Sequence, residues 1–165
     1  MNRSGPVGLI ALTLILGGCE GTAEDVASDS AAVSEAEPTA PAPSLTDHEW
    51  RLVMIDMADG EDMTPDASAL PTLSFSEEAM PTGSRSMSGF TGCNTMNAGY
   101  DAGRGGRLSV SGVSMTRMAC PDDVMRLESV LVMALESARS YVIGDRSVDI
   151  DFGGGVVRLE AIEGP

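Results

Sequence analysis

Apolar and polar positions along this chain alternate in short runs, interrupted once by a helical pattern. Residues 49–55 read as a first strand, with Trp50, Leu52 and Met54 sharing a face. Residues 72–76 form a second, in which Leu73 and Phe75 alternate. Residues 85–90 form a third, where Met87 and Phe90 break the alternation and predict a bulge at Gly89. Between the first two strands, 57–71 is acidic and carries Asp59-Gly60 and Pro65, so it reads as a long surface loop. A strand around Tyr100 (97–101) leads into the hairpin turn Gly103-Arg104-Gly105-Gly106. The return strand, 107–115, places Leu108 and Val110 inward. A phase shift at Gly112 lets Val113 and Met115 continue that face.

At Pro121-Asp122-Asp123 the period changes from two to 3.6. A proline in the first turn and acids at the positive end of the dipole predict a helix running to about 137 or 138. Val124, Leu127, Leu131, Ala134, Leu135 and Ala138 form its apolar stripe, and Arg126, Glu128, Ser129 and Glu136 fall mostly off it. Val130, Val132 and Met133 widen the stripe and predict a helix well covered by sheet. The pattern then returns to strands at 140–143, 147–152 and 156–161, the last two joined by Gly153-Gly154-Gly155. Val148, Ile150 and Phe152 face one way, Asp149 and Asp151 the other. This order predicts an α+β fold: a strongly bent antiparallel sheet, half-barrel-like, wrapped around a single helix.

The first 44 residues follow neither period. Residues 1–18 have Arg3 followed by the apolar run 7–16, too short to span a bilayer comfortably, and read as a lipoprotein signal peptide. Leu16-Gly17-Gly18-Cys19 resembles the bacterial lipobox, which implies cleavage before Cys19 and acylation of its sulfur and new amine. Several acyl chains give lasting attachment, at about 0.8 kcal/mol per buried CH₂. By resemblance to enteric sorting rules, Glu20 at the next position points to the outer membrane, facing the periplasm. Residues 19–44 hold Ala, Ser, Thr, Pro and six acids without a base, a composition expected of a disordered tether. The folded domain is expected over 45–165.

Charge narrows the partners. Ten basic and 25 acidic residues give a formal net charge of −15, and every base is arginine. Phosphate-bearing partners, whether nucleic acid or anionic headgroups, would be repelled. Eleven methionines and few aromatics argue for an aliphatic core rather than aromatic stacking platforms.

The stretch 87–121 carries the most specific signal. Ser88-Gly89-Phe90-Thr91-Gly92-Cys93-Asn94, then Gly99-Tyr100 and Leu108, then Met115-Thr116-Arg117-Met118-Ala119-Cys120-Pro121 and finally Glu128, follow an early Trp50-x-Leu52. Together they resemble the META domain, the HslJ-like family, over about 46–162. The resemblance implies a bent sheet around one helix, and an envelope protein linked to heat or antibiotic stress. It implies no enzymatic activity or cofactor, so the motif reads as fold-determining. Its glycines permit tight turns, Asn94 bonds local backbone, and Thr116 and Arg117 fix the segment leading into the helix. The acidic loop after Asp56 and the absence of lysine depart from the family pattern.

Other constellations have simpler explanations beside the chemical ones. With Cys19 lipidated, Cys93 and Cys120 are left in an oxidising periplasm. A disulfide, two buried thiols and metal ligation are all open at this point. A bridge would contribute about 3 kcal/mol by loop entropy. His48 lies far in sequence from both cysteines and has no nucleophile motif beside it, which disfavours zinc and general-base chemistry. Asp145, Asp149 and Asp151 lack EF-hand spacing and read as a solvated face. The glycines at 103–106 precede a strand, not a helix, so they are no dinucleotide loop. Met87, Met96, Met115, Met118, Met125 and Met133 read as core filler, or else as the lining of an apolar cavity. The expected protein is a non-enzymatic envelope lipoprotein without cofactor or metal, membrane-bound through Cys19, and acting as an interaction or structural module. The alternative is a binder of a lipid or other apolar ligand between sheet and helix.

Overall fold

The computed structural model describes residues 43–163; the signal, the lipobox at Cys19 and most of the tether lie outside them. A 3₁₀ turn at Leu45–Asp47, capped by Ser44, leads into β1 (Glu49–Met57). Then follow β2 (Thr72–Ala79), β3 (Arg85–Phe90), β4 (Thr95–Gly103), β5 (Arg107–Met115), α1 (Asp122–Glu136), β6 (Ser140–Ile143), β7 (Ser147–Asp151) and β8 (Gly155–Ala161). Every strand pairs antiparallel with its sequence neighbour, and β8 pairs back onto β1. The expected bent sheet with one helix is present, and it closes into a full barrel.

The closure is narrow at one seam. β5 and β6 share the single ladder pair Arg107↔Ser140. It is extended by Leu108 N–H to Arg139 O (3.0 Å) and Tyr141 N–H to Gly106 O (2.7 Å). The chain between these two strands is α1, whose Leu127, Leu131, Ala134 and Leu135 join the barrel core. Around them pack Trp50, Leu52, Leu73, Phe75, Tyr100, Ile150 and Leu159, all buried. Trp50 donates its indole N–H to Leu45 O at 2.7 Å, and His48 stands edge-on to the Trp50 ring.

Three details differ from the alternation read in the sequence. In β1 the register against β8 slips between Leu52 and Met54, so Val53 is an extra outward residue. Ile55, not Met54, therefore continues the buried face. In β3 no bulge occurs at Gly89, because pairing with β2 and β4 runs through it without a shift. Instead, a Cβ on Gly89 would overlap Thr72 O and lie 2.8 Å from Leu73 Cδ2, so the glycine is required by close approach and Phe90 turns outward. In α1 the expected stripe of Leu127, Leu131, Ala134 and Leu135 is buried, but Glu128 is buried beside it and Met133, expected to widen it, is exposed. The bulge expected at Gly112 is present, with φ +65 and a register shift opposite 97–99 of β4.

Candidate functional site

The family-like residues converge where the β3–β4 turn meets α1. Thr91-Gly92-Cys93-Asn94 is a tight turn closed by Thr91 N–H to Asn94 O at 2.8 Å. The Thr91 hydroxyl accepts from Asn94 N at 3.0 Å. Its own proton has two acceptors in reach, the Asn94 carbonyl at 2.8 Å and the Glu128 carboxylate. Gly92 has φ +95, a backbone state that disfavours a side chain, and a Cβ there would sit 2.9 Å from Ala69 O.

Glu128 reaches this turn from α1. Its Oε2 accepts from Asn94 N at 3.1 Å, and the Asn94 Nδ2 group donates to Oε1 at 2.9 Å and to Oε2 at 3.1 Å. Asn94 Oδ1 in turn accepts from Thr116 Oγ1 at 2.9 Å and Met118 N at 2.8 Å. The amide orientation follows from its partners, since a backbone N–H only donates and a carboxylate only accepts. Thr116 Oγ1 accepts from Thr95 N at 3.1 Å, and Cys93 is bonded to Cys120 with an S–S distance of 2.00 Å. Turn, connecting segment and helix are thus joined by one covalent and several polar links.

Thr91, Asn94 and Glu128 are the buried polar or charged residues among those described. No buried side-chain nitrogen or oxygen among the described residues lacks a hydrogen-bond partner. An isolated carboxylate removed from water is strongly disfavoured, and here hydrogen-bond donors take the place of solvent. The arrangement can fix geometry; its polar atoms are directed at one another rather than at solvent.

The remaining expected residues are more dispersed. Trp50 and Tyr100 are core, Gly89 packs under β2, and Pro121 immediately precedes the first helical residue. Met118 contributes through its backbone, its side chain being exposed, and Ala119 is exposed too. Arg117 is exposed and makes no side-chain hydrogen bond among the described residues, so of the expected pair it is Thr116 that helps fix the segment before the helix, with Met118 N and Cys120. Glu128, expected off the buried stripe, is a correction: hydrogen bonds from the turn, not apolarity, draw it inward. Thr91 has no role of its own in the sequence reading, although a threonine three residues before an asparagine in a glycine-containing turn is a recognisable hydroxyl-to-backbone pattern. Asp149 lies 3.8 Å from Arg158 and Asp151 accepts from Gly153 N, which accounts for those two acids. The methionines divide: Met87 and Met96 fill the core, whereas Met115, Met118, Met125 and Met133 are exposed.

The model of the META domain family matches residues 43–160. The chain belongs to the META domain family. Two solved structures resemble this META protein. One is an NMR structure of a protein from Burkholderia xenovorans, 26% identical, with a TM-score of 0.58, covering 79% of this chain and 97% of that chain. The other, also by NMR, is 20% identical with a TM-score of 0.51, covering 71% of this chain and 91% of that one, and supports the fold alone. No match is found among curated proteins.

Cavities lie on the surface of the META domain. One, of about 510 Å³, separates the 61–69 loop from the start of α1 and carries Glu61, Asp62, Asp66 and Asp123. A second, of about 380 Å³, lies between the end of β5 and Val132 and Glu136 of α1. Neither is the apolar chamber between sheet and helix that a buried lipid would need, and that space is filled by core side chains.

Proposed function

We propose that this META protein is a lipid-anchored envelope module that works by presenting a rigid domain for interaction, without catalysis, in a setting of envelope, heat or antibiotic stress. The observation that carries this reading is the inward direction of the family motif. Thr91, Asn94, Thr116 and Glu128 spend their polar atoms on one another, and Cys93 and Cys120 on a bond between them. A motif arranged so supports a scaffold whose working surface lies elsewhere. The lipobox ending at Cys19 and the acidic, proline-bearing segment after it support attachment with reach away from the membrane.

Replacing Cys19 with alanine tests the anchor. Metabolic lipid labelling should be lost and the domain should leave the membrane fraction. Unchanged retention would show that something other than an acyl anchor holds it. Affinity capture from envelopes with the full chain tests the interaction role; recovery of no specific partner would count against it.

A further inference from the structure

The groove between the 61–69 loop and α1 combines exposed acids with apolar lining. Its exposed acids are Glu61, Asp62, Asp66 and Asp123. Its less exposed lining is apolar: Met63 and Val124 are half-buried and Leu127 is buried. The one base in the lining, Arg126, already faces Glu61 at 3.5 Å. Three carboxylates therefore surround an apolar surface with no ion pair to a cation among the described residues.

The loop is held rather than draped. Ile55 and Met63 exchange both backbone hydrogen bonds at 2.8 Å, and Leu52 N donates to Pro71 O at 2.9 Å. Within the loop, the Ser68 hydroxyl and then its backbone N–H hold the Asp66 carboxyl below its ordinary range, keeping it charged. Beneath the loop lies the motif turn. The absent Cβ of Gly92 leaves room for Ala69 O, and that Cβ position is 3.5 Å from Val124 Cγ1. The family motif thus supports one wall of the groove directly.

We infer that this groove docks an extended basic segment of a partner protein, one that alternates arginine or lysine with aliphatic side chains. Aliphatic groups would cover Met63 and Val124, above the buried Leu127, while cationic groups meet Asp62, Asp66 and Asp123. The groove is open to solvent, whereas small-molecule sites enclose most of their ligand, which favours side chains laid in from a macromolecule. The inference rests on the proposed interaction role and names the chemistry of the partner.

The test is fluorescence anisotropy of the full chain with a synthetic peptide alternating arginine and leucine. Companion peptides carry serine in place of leucine, or glutamate in place of arginine. The arginine–leucine peptide should bind best, and binding should weaken as salt rises. Asp62→Asn with Asp123→Asn should weaken it about tenfold, as should Val124→Ser for the apolar contact. Glu78→Gln with Asp145→Asn, which removes the same charge away from the groove, should leave it unchanged. Circular dichroism confirms that each variant is folded. Equal weakening by the distant pair would overturn the proposal, because diffuse charge would then explain binding. So would equal binding of the serine peptide, spermine binding as tightly as the peptide, or no binding at all. None of these results bears on anchoring through Cys19, which fails or stands by its own labelling experiment.

Discussion

Asn94 and Glu128 stand 34 residues apart in sequence, and the Asn94 amide donates to Glu128 Oε1 at 2.9 Å inside the fold. This contact links the β3–β4 turn to the helix. The same asparagine uses its Oδ1 to hold Thr116 and Met118, so one side chain organises three segments. Replacing either partner would leave the other buried with unmatched polar atoms, which is more harmful than losing an ordinary exposed hydrogen bond.

The disulfide acts on the same junction. Cys93 and Cys120 are separated by 27 residues, and closing such a loop contributes about 3 kcal/mol by restricting the unfolded chain. Non-reducing mass mapping should recover the two cysteines as one cross-linked peptide. Thermal melting with a dithiol reductant should show a clear fall in Tm. Free thiols in protein made in the periplasm would refute the bridge.

Gly89 gives a prediction free of polar chemistry. Because a Cβ would overlap Thr72 O and approach Leu73 Cδ2 to 2.8 Å, Gly89→Ala must displace β2 or β3. Overpacking of this kind is expected to cost about 1–3 kcal/mol in urea unfolding. A bulge at Gly89 would instead have left space for the methyl group, and an unchanged midpoint would argue for that geometry.

Tyr100 should make stability sensitive to alkali. Burial raises its phenol above the ordinary value of 10.0, with Arg85 opposing and Glu77 reinforcing the shift. Above about pH 10 the unfolded tyrosine has lost its proton while the folded one retains it, so stability falls as pH rises. Below that point the contribution is fully present. Tyr100→Phe should flatten this alkaline slope, while at neutral pH losing the hydrogen bond to Ser76 O costs about 1 kcal/mol. An identical slope in both proteins would contradict the assignment.

The strands and helix were legible because each buries one face, and alternation at Leu73, Phe75, Val148 and Ile150 reports that directly. The slip at Val53 was not, since a bulge inserts a residue without changing composition, and Met54 is as apolar as the buried Ile55. Closure of the barrel was also hidden. It depends on the Arg107↔Ser140 pair and the two backbone hydrogen bonds beside it, made between segments that the helix separates in sequence, which no local pattern announces. Burial of Glu128 ran against hydrophobic periodicity altogether. Charge ordinarily marks the solvent side of a helix, and only the distant turn supplies the donors that reverse this. The motif identified the family from residue types, but the reason for those types lies in contacts between segments.

If the family motif holds the fold together, Asn94 and Glu128 must be energetically coupled, and a double-mutant cycle between Asn94→Ala and Glu128→Ala measures that coupling. Urea unfolding with the disulfide intact gives the four stabilities. Each single variant should lose about 2–3 kcal/mol, because each leaves a buried polar partner short of a hydrogen bond. The double variant should lose less than the sum, with a coupling energy of about 2 kcal/mol. Losses that add to within about 0.5 kcal/mol would show that the two residues do not depend on one another to stabilise the barrel.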